Sequence, residues 1–148
     1  MIDNKFKDNI IILGAGKPLK GETPSAMLET GSGKVIMNWI IEALNISYKD
    51  IKFVAGFKAD KIKHNFPEMT IIVNEKWSEM GSTGSLLSID LDEEKPLIIS
   101  YSDILFRQNI VDKLRESSKS IAIAWDSKWI NFREGIPKIH EKIQVNHK

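Results

Sequence analysis

The chain has 148 residues, the length of one ordinary domain and enough to bury a core. Hydrophobic residues make up 42% and charged ones 28%, with nine Gly and five Pro, which excludes a disordered or collagen-like chain. A formal net charge of +1 and the absence of Cys exclude a basic nucleic-acid or membrane footprint, disulfides and zinc–sulfur sites.

The polar start, Met1 to Asn9, leads into the apolar run Ile10 to Leu13, which is too short for a secretory signal. That run stops at Gly14, as a strand buried on both faces should. Residues 14 to 34 are rich in Gly and small polar residues and read as a long loop. Val35, Ile36, Trp39, Ile40, Ala43 and Leu44 recur at helical spacing. A second strand spans Ile51 to Ala55, followed by a short helix from Lys58 to Asn65 that Pro67 ends. Met69 to Val73 reads as the third strand, Ser82 to Ile89 as a helix, and Pro96 to Ser100 as the fourth strand. Ile104 to Ser117 carries helical spacing, and Ile121 to Trp125 reads as a fifth strand ending at Asp126. Ile139, Ile143 and Val145 suggest one more strand. No segment approaches the roughly 18 apolar residues of a membrane span. The alternation predicts an α/β domain: a Rossmann-like, mostly parallel sheet flanked by helices. It is expected to be soluble and cytoplasmic, without nucleic-acid or membrane partners.

Several local motifs are decoys. Gly31-Ser32-Gly33-Lys34-Val35 resembles the end of a P-loop, but Leu28 and Val35 stand where that motif needs Gly and Ser or Thr. Gly14-Ala15-Gly16 opens like a dinucleotide fingerprint, yet Leu19 breaks it and no helix follows at once. Asn45-Ile46-Ser47 matches a glycosylation sequon that lacks a secretory context. His64, His140 and His147 are too scattered to form a metal-ligand pair.

What remains is the loop Leu13-Gly14-Ala15-Gly16-Lys17-Pro18-Leu19-Lys20 directly after the first strand. Small residues there let backbone amides approach an anion, and two Lys add charge. Alone, Gly14-Ala15-Gly16 reads first as a plain turn between strand and helix with surface lysines. Asp103, after the fourth strand, can hold a divalent cation against a bound triphosphate or can cap the following helix. Asp126 carries the same two readings. Together, the Lys-bearing loop and the carboxylates at equivalent strand ends suggest a nucleotide and a metal.

The order of these pieces resembles the sugar-nucleotidyltransferase-like NTP transferases, specifically their small cytidylyltransferase branch. The resemblance runs from about Ile10 to Trp129 and rests on seven landmarks. These are Ile12-Leu13-Gly14-Ala15-Gly16, Pro24-Ser25-Ala26-Met27-Leu28, Val54-Ala55-Gly56-Phe57 and Val73-Asn74-Glu75-Lys76-Trp77. Gly81-Ser82-Thr83-Gly84-Ser85-Leu86, Ser100-Tyr101-Ser102-Asp103-Ile104-Leu105-Phe106 and Ala124-Trp125-Asp126-Ser127-Lys128-Trp129 complete the series.

The resemblance implies a fold of the glycosyltransferase-A-like kind and CMP transfer from CTP to a small phosphorylated or phosphonate acceptor, such as phosphoglutamine. Pyrophosphate is the expected leaving product, Mg²⁺ the expected cofactor, and capsule biosynthesis the expected setting. Leu13, Gly14, Ala15, Gly16 and Lys17 would bind the triphosphate, with Lys20 acting in catalysis. Asn74, Thr83, Gly84 and Ser85 would help hold base and ribose, and Asp103 would be the metal-binding catalytic carboxylate. Asp126, Trp129 and Lys142 would lie on the acceptor side. The chain departs from the family at Pro18, where a Gly is usual, and at Lys20, where an Arg is. It also has Ser25 where the family places a phosphate-neutralising Lys, so that charge must come from Lys17, Lys20 or Lys34. Family members are longer, so residues 1–148 are expected to be the nucleotide-binding portion of an incomplete nucleotidyltransferase domain, with room for a homo-oligomer. The competing expectations are a non-catalytic nucleotide-binding or regulatory domain and a glycosyltransferase. The latter would want an Asp-x-Asp motif after a strand, whereas Asp90-Leu91-Asp92 follows a helix.

Overall fold

The computed structural model of the chain describes residues 8–91, 94–126 and 128. Strands β1 (Asn9–Gly14), β2 (Ile51–Ala55), β3 (Thr70–Val73) and β4 (Leu97–Tyr101) alternate with helices α1 (Ile36–Leu44), α2 (Ala59–Asn65), α3 (Ser82–Leu87) and α4 (Gln108–Arg115). The sheet order is β3-β2-β1-β4, and every pairing is parallel. The expected α/β, Rossmann-like architecture is therefore present.

The apolar run of β1 is continuous because both of its faces are covered. Ile10 and Ile12 join the core formed with Phe53, Ile40, Leu44, Ile62 and Val111. Ile11 and Leu13 point the other way, into a smaller core with Val54 and Ile89 that Leu86 and Trp77 flank. Helices α1, α2 and α4 thus contribute to one layer, and the α3 segment to the other. In α1, Met37, Ile40, Ile41 and Leu44 are buried, at the spacing of one helical face. Asn45 ends the helix in the left-handed region, φ 53°, and its N–H donates to the Glu42 carbonyl. The sequon asparagine is therefore a helix cap of the type that tolerates positive φ.

The C-terminal end of α4 is tied to the sheet's start. Arg115 Nε donates to Asp8 Oδ2 at 3.1 Å, and its Nη1 donates to the Leu44 carbonyl at 3.3 Å. This ion pair is largely withdrawn from solvent.

Three expectations change. The long loop after β1 contains a single 3₁₀ turn, Ser25–Met27, and a bridge between Glu29 and Val35. Helix α4 starts at Gln108 with Arg107 at its cap position, so Asp103 does not cap it. Residues 121–126 form no strand. Ile121 and Trp125 are 81% and 60% exposed, because no ladder joins this segment to β4, and apolar alternation makes a strand only where a neighbour pairs with it. The expected strand at Ile139 to Val145 lies outside the described residues.

Candidate functional site

Chain order in the sheet determines where a ligand can sit. From β1 the chain moves to β2 and β3 on one side, then returns to place β4 on β1's other side. Strand order thus reverses between β1 and β4, and ligands of open parallel sheets occupy the crevice at the carboxyl ends of such a pair. The β1–β4 register pairs Leu13 with Tyr101. One step on, the Ser102 amide donates to the Leu13 carbonyl at 3.0 Å. The Gly14–Gly16 segment and Ser102-Asp103 therefore leave the sheet side by side.

Gly14 is required sterically. A Cβ there would stand 2.3 Å from Phe53 Cζ and 2.8 Å from Ser102 Oγ, whereas Gly16 has nothing within 4 Å. Leu13 and Ala15 are buried, so their side chains anchor the loop and only their backbone can face a ligand. The Ala15 carbonyl accepts from the Phe57 amide at 2.8 Å, which joins the turn after β2 to the loop after β1.

Lys17 and Lys20 are exposed at this loop. Gly21, with φ 79°, lets the chain turn so that Glu22 folds back on Lys17. The Glu22 carboxylate contacts Lys17 Nζ at 2.9 Å and Lys58 Nζ at 2.8 Å. Lys58 also donates to the Glu22 backbone carbonyl at 2.6 Å. Hydrogen bonds from Lys58 and then Lys17 hold the Glu22 carboxyl at about 2, below its usual 4.5. Lys34, the third cation expected to serve the phosphates, is engaged elsewhere. It pairs with Glu42 and lies 4.0 Å from the centre of the Trp39 ring. Sequence reasoning missed Lys58. The available signal was its place, two residues after the Gly56 that ends the second strand.

Asp103 is exposed and makes no hydrogen bond or ion pair among the described residues. These residues hold no group of three or more His, Cys, Asp or Glu that could cage a metal. Asn74 and Ser85 are both buried. Asn74 Nδ2 donates to Ser85 Oγ at 3.0 Å, and Asn74 Oδ1 accepts from the Lys76 amide at 3.0 Å. They brace the 74–85 segment from inside, leaving Thr83 exposed and Gly84 half-buried at the start of α3. Asp126 Oδ1 accepts from the Lys128 amide at 2.8 Å in a local turn. Trp129 and Lys142 lie outside the described residues.

A cleft of about 440 Å³ opens elsewhere, lined by Met27, Glu29, Tyr48, Phe66 and Glu68 among others. None of its lining residues is basic. Burial first, and then the Glu42 and Glu68 carboxylates, raise the Tyr48 hydroxyl above its ordinary range. This negative field is unsuited to a triphosphate. The anion-receptive chemistry is at the β1–β4 strand ends.

No protein-family model matches the chain. It is similar to the CTP:phosphoglutamine cytidylyltransferase of Campylobacter jejuni, with 30% identity over 136 residues. That match takes in 82% of the chain and 53% of the relative. Among solved structures, it resembles the CTP:phosphocholine cytidylyltransferase of Streptococcus pneumoniae with a TM-score of 0.51 and 24% identity. This likeness covers 68% of the chain and 49% of the other, and speaks to the fold alone. The chain spans about half the length of these relatives. Among the described residues, no helix is long and apolar enough to cross a membrane.

Proposed function

This chain falls within the cytidylyltransferase branch of the nucleotidyltransferase-like NTP transferases over the part it spans, and on that premise we propose that it binds CTP for CMP transfer to a small phosphorylated or phosphonate acceptor. The observation that carries this reading is the reversal of strand order between β1 and β4. It puts the Gly14-Ala15-Gly16-Lys17 loop beside Asp103.

In the proposed reaction, an acceptor phosphate oxygen bonds to the α-phosphorus of CTP. The bond from that phosphorus to the α,β-bridging oxygen breaks, and pyrophosphate leaves. The attacking oxygen is already anionic near neutral pH, so no general base is needed. The protein's task is alignment and charge neutralisation. The Gly14–Gly16 amides and Lys17 and Lys20 hold the phosphates. Thr83 and Gly84 contact base and ribose, braced by Asn74 and Ser85. Asp126 remains a candidate on the acceptor side.

The donor chemistry fits Mg²⁺ bound jointly with a nucleotide. That ion favours one or two carboxylates plus phosphate oxygens over a cage made wholly of protein, and Asp103 offers one uncommitted carboxylate at the strand end. When bound, the ion would neutralise charge on the nucleotide phosphates. The acceptor, release of pyrophosphate, a cytoplasmic location and self-association belong to this proposal.

Ser25, in place of the family lysine, favours a second reading: nucleotide binding without turnover. Titration with CTP, ATP, GTP and UTP, followed by pyrophosphate release assays with Mg²⁺ and phosphorylated acceptors, separates the two. CTP-selective binding and acceptor-dependent pyrophosphate release are expected. Binding with no turnover for any acceptor would select the second reading, and absence of nucleotide binding would remove both.

A further inference from the structure

We infer that Lys58 is a phosphate-binding residue of this site and that the Glu22 carboxylate occupies the phosphate position until a nucleotide displaces it. This deepens the nucleotide-binding reading above and rests on it.

The Lys58 ammonium is brought to the loop by the backbone. Phe57 donates its amide to Ala15, and its ring meets Trp77 edge-on with centroids 5.8 Å apart. Both neighbouring ammonium groups lie near that ring, Lys58 at 5.0 Å and Lys17 at 5.6 Å from its centroid. An aromatic ring beside two cations offsets part of their repulsion. Lys58 itself adopts φ 50° and ψ 42°, a left-handed conformation uncommon for a residue with a side chain. Such backbone outliers concentrate at functional sites.

An anion between two like charges offsets their repulsion further, and here that anion is Glu22. Its two carboxylate oxygens take one ammonium each, the bridging arrangement that a terminal phosphate can reproduce with an oxygen to spare. The Glu22 side chain is 63% exposed. An exposed ion pair of this kind is weak, so a triphosphate, with more charge and more acceptor oxygens, can displace it. Glu22 lies on the same loop as Ser25, where the family lysine is missing. Lys58 supplies a cation to that loop from a different strand end.

The test is calorimetric titration of the full chain with CTP and, separately, with inorganic tripolyphosphate, which lacks base and ribose. Glu22→Gln should tighten both ligands about three- to fivefold by removing the competitor. Lys58→Met should weaken both about tenfold and cancel the gain from Glu22→Gln, while Lys58→Arg should retain most of the affinity. Weaker binding in Glu22→Gln would make Glu22 an organiser of the lysines and overturn the inference. Unchanged tripolyphosphate affinity in Lys58→Met would overturn it as well. If the unaltered chain binds neither ligand, the nucleotide reading itself fails. If it binds both and only the variants misbehave, this inference alone falls.

Discussion

The Ser102 amide donates to the Leu13 carbonyl at 3.0 Å, one step beyond the last β1–β4 pair, Leu13 with Tyr101. This bond keeps the two strand-end loops together, and it leaves no room between them for a side chain at residue 14. A methyl group there would collide with the Phe53 ring edge and Ser102 Oγ. Because the Phe53 ring is fully buried, it cannot swing away. Gly14→Ala should therefore destabilise the fold by about 1–3 kcal/mol through overpacking and weaken nucleotide binding as the loops separate. Gly16→Ala, facing open space, should change stability little. Urea denaturation of the pair checks the contrast.

The Asp8–Arg115 pair is the chain's best-shielded ion pair among the described residues, with side-chain exposures of 4% and 13%. Asp8→Ala removes the carboxylate that accepts from Arg115 Nε while the bond from Arg115 to the Leu44 carbonyl remains, so it should cost about 1–3 kcal/mol, the range of a shielded hydrogen bond to a charged group. Exchanging both for apolar residues, Asp8→Leu with Arg115→Met, should recover much of that loss. Near-equal destabilisation in the single and double variants, measured by denaturant unfolding, would contradict the account.

How much of this is legible in the sequence depends on the range of the interaction involved. Ile10 to Leu13 marks β1 because four consecutive apolar residues need two covered faces, and both faces are covered. Helical spacing marks α1 through Ile40, Ala43 and Leu44, which are buried, but it also takes in Trp39, which is exposed, and passes over the buried Met37 and Ile41. Ile121 to Trp125 has equally good strand composition and forms none, since pairing depends on a neighbour that composition does not reveal. Lys58 is missed because its placement depends on two distant segments meeting: the loop that carries the Ala15 carbonyl and the turn at Gly21, and the end of β2. Lys34 shows the reverse. Its position beside Gly33 suggests a phosphate contact, while Glu42 and Trp39 already hold it.

The buried Asn74–Ser85 hydrogen bond gives a further expectation. Ser85→Ala removes the acceptor and leaves the Asn74 amide unsatisfied in the interior, at a cost of about 1–3 kcal/mol. The 74–85 segment should loosen with it, so amide exchange at Lys76 and Met80 should accelerate more than exchange in β1. Uniform acceleration across the sheet would mean that the bond supports global stability and not this segment in particular.

Glu22 has a distinct acid signature. With its folded pKa held at about 2, its attraction to Lys58 and Lys17 is fully present above the ordinary value of 4.5. It is lost only as pH falls towards 2. A side-chain NMR titration should therefore show Glu22 still ionised at pH 3.5, when ordinary glutamates have mostly protonated. In Lys58→Met the midpoint should rise, since Lys58 is the largest cause of the depression. An unmoved midpoint would place the stabilisation on Lys17.

Asp103 separates structure from chemistry most cleanly. Its side chain is exposed and has no partner among the described residues, so Asp103→Ala should leave the melting temperature unchanged. If the carboxylate holds Mg²⁺ against the nucleotide, its loss removes transition-state stabilisation of several kcal/mol. Acceptor-dependent pyrophosphate release should then fall on the order of 100- to 1,000-fold. The Mg²⁺-dependent part of CTP affinity should shrink, while affinity measured without Mg²⁺ should hold or rise as one negative charge leaves the site. Asp103→Asn should behave like the alanine variant, because an amide keeps the size and loses the charge that a hard cation requires. Full turnover in either variant, measured alongside an unchanged melting temperature, would remove Asp103 from the metal site and leave nucleotide alignment to the Gly14–Lys20 loop.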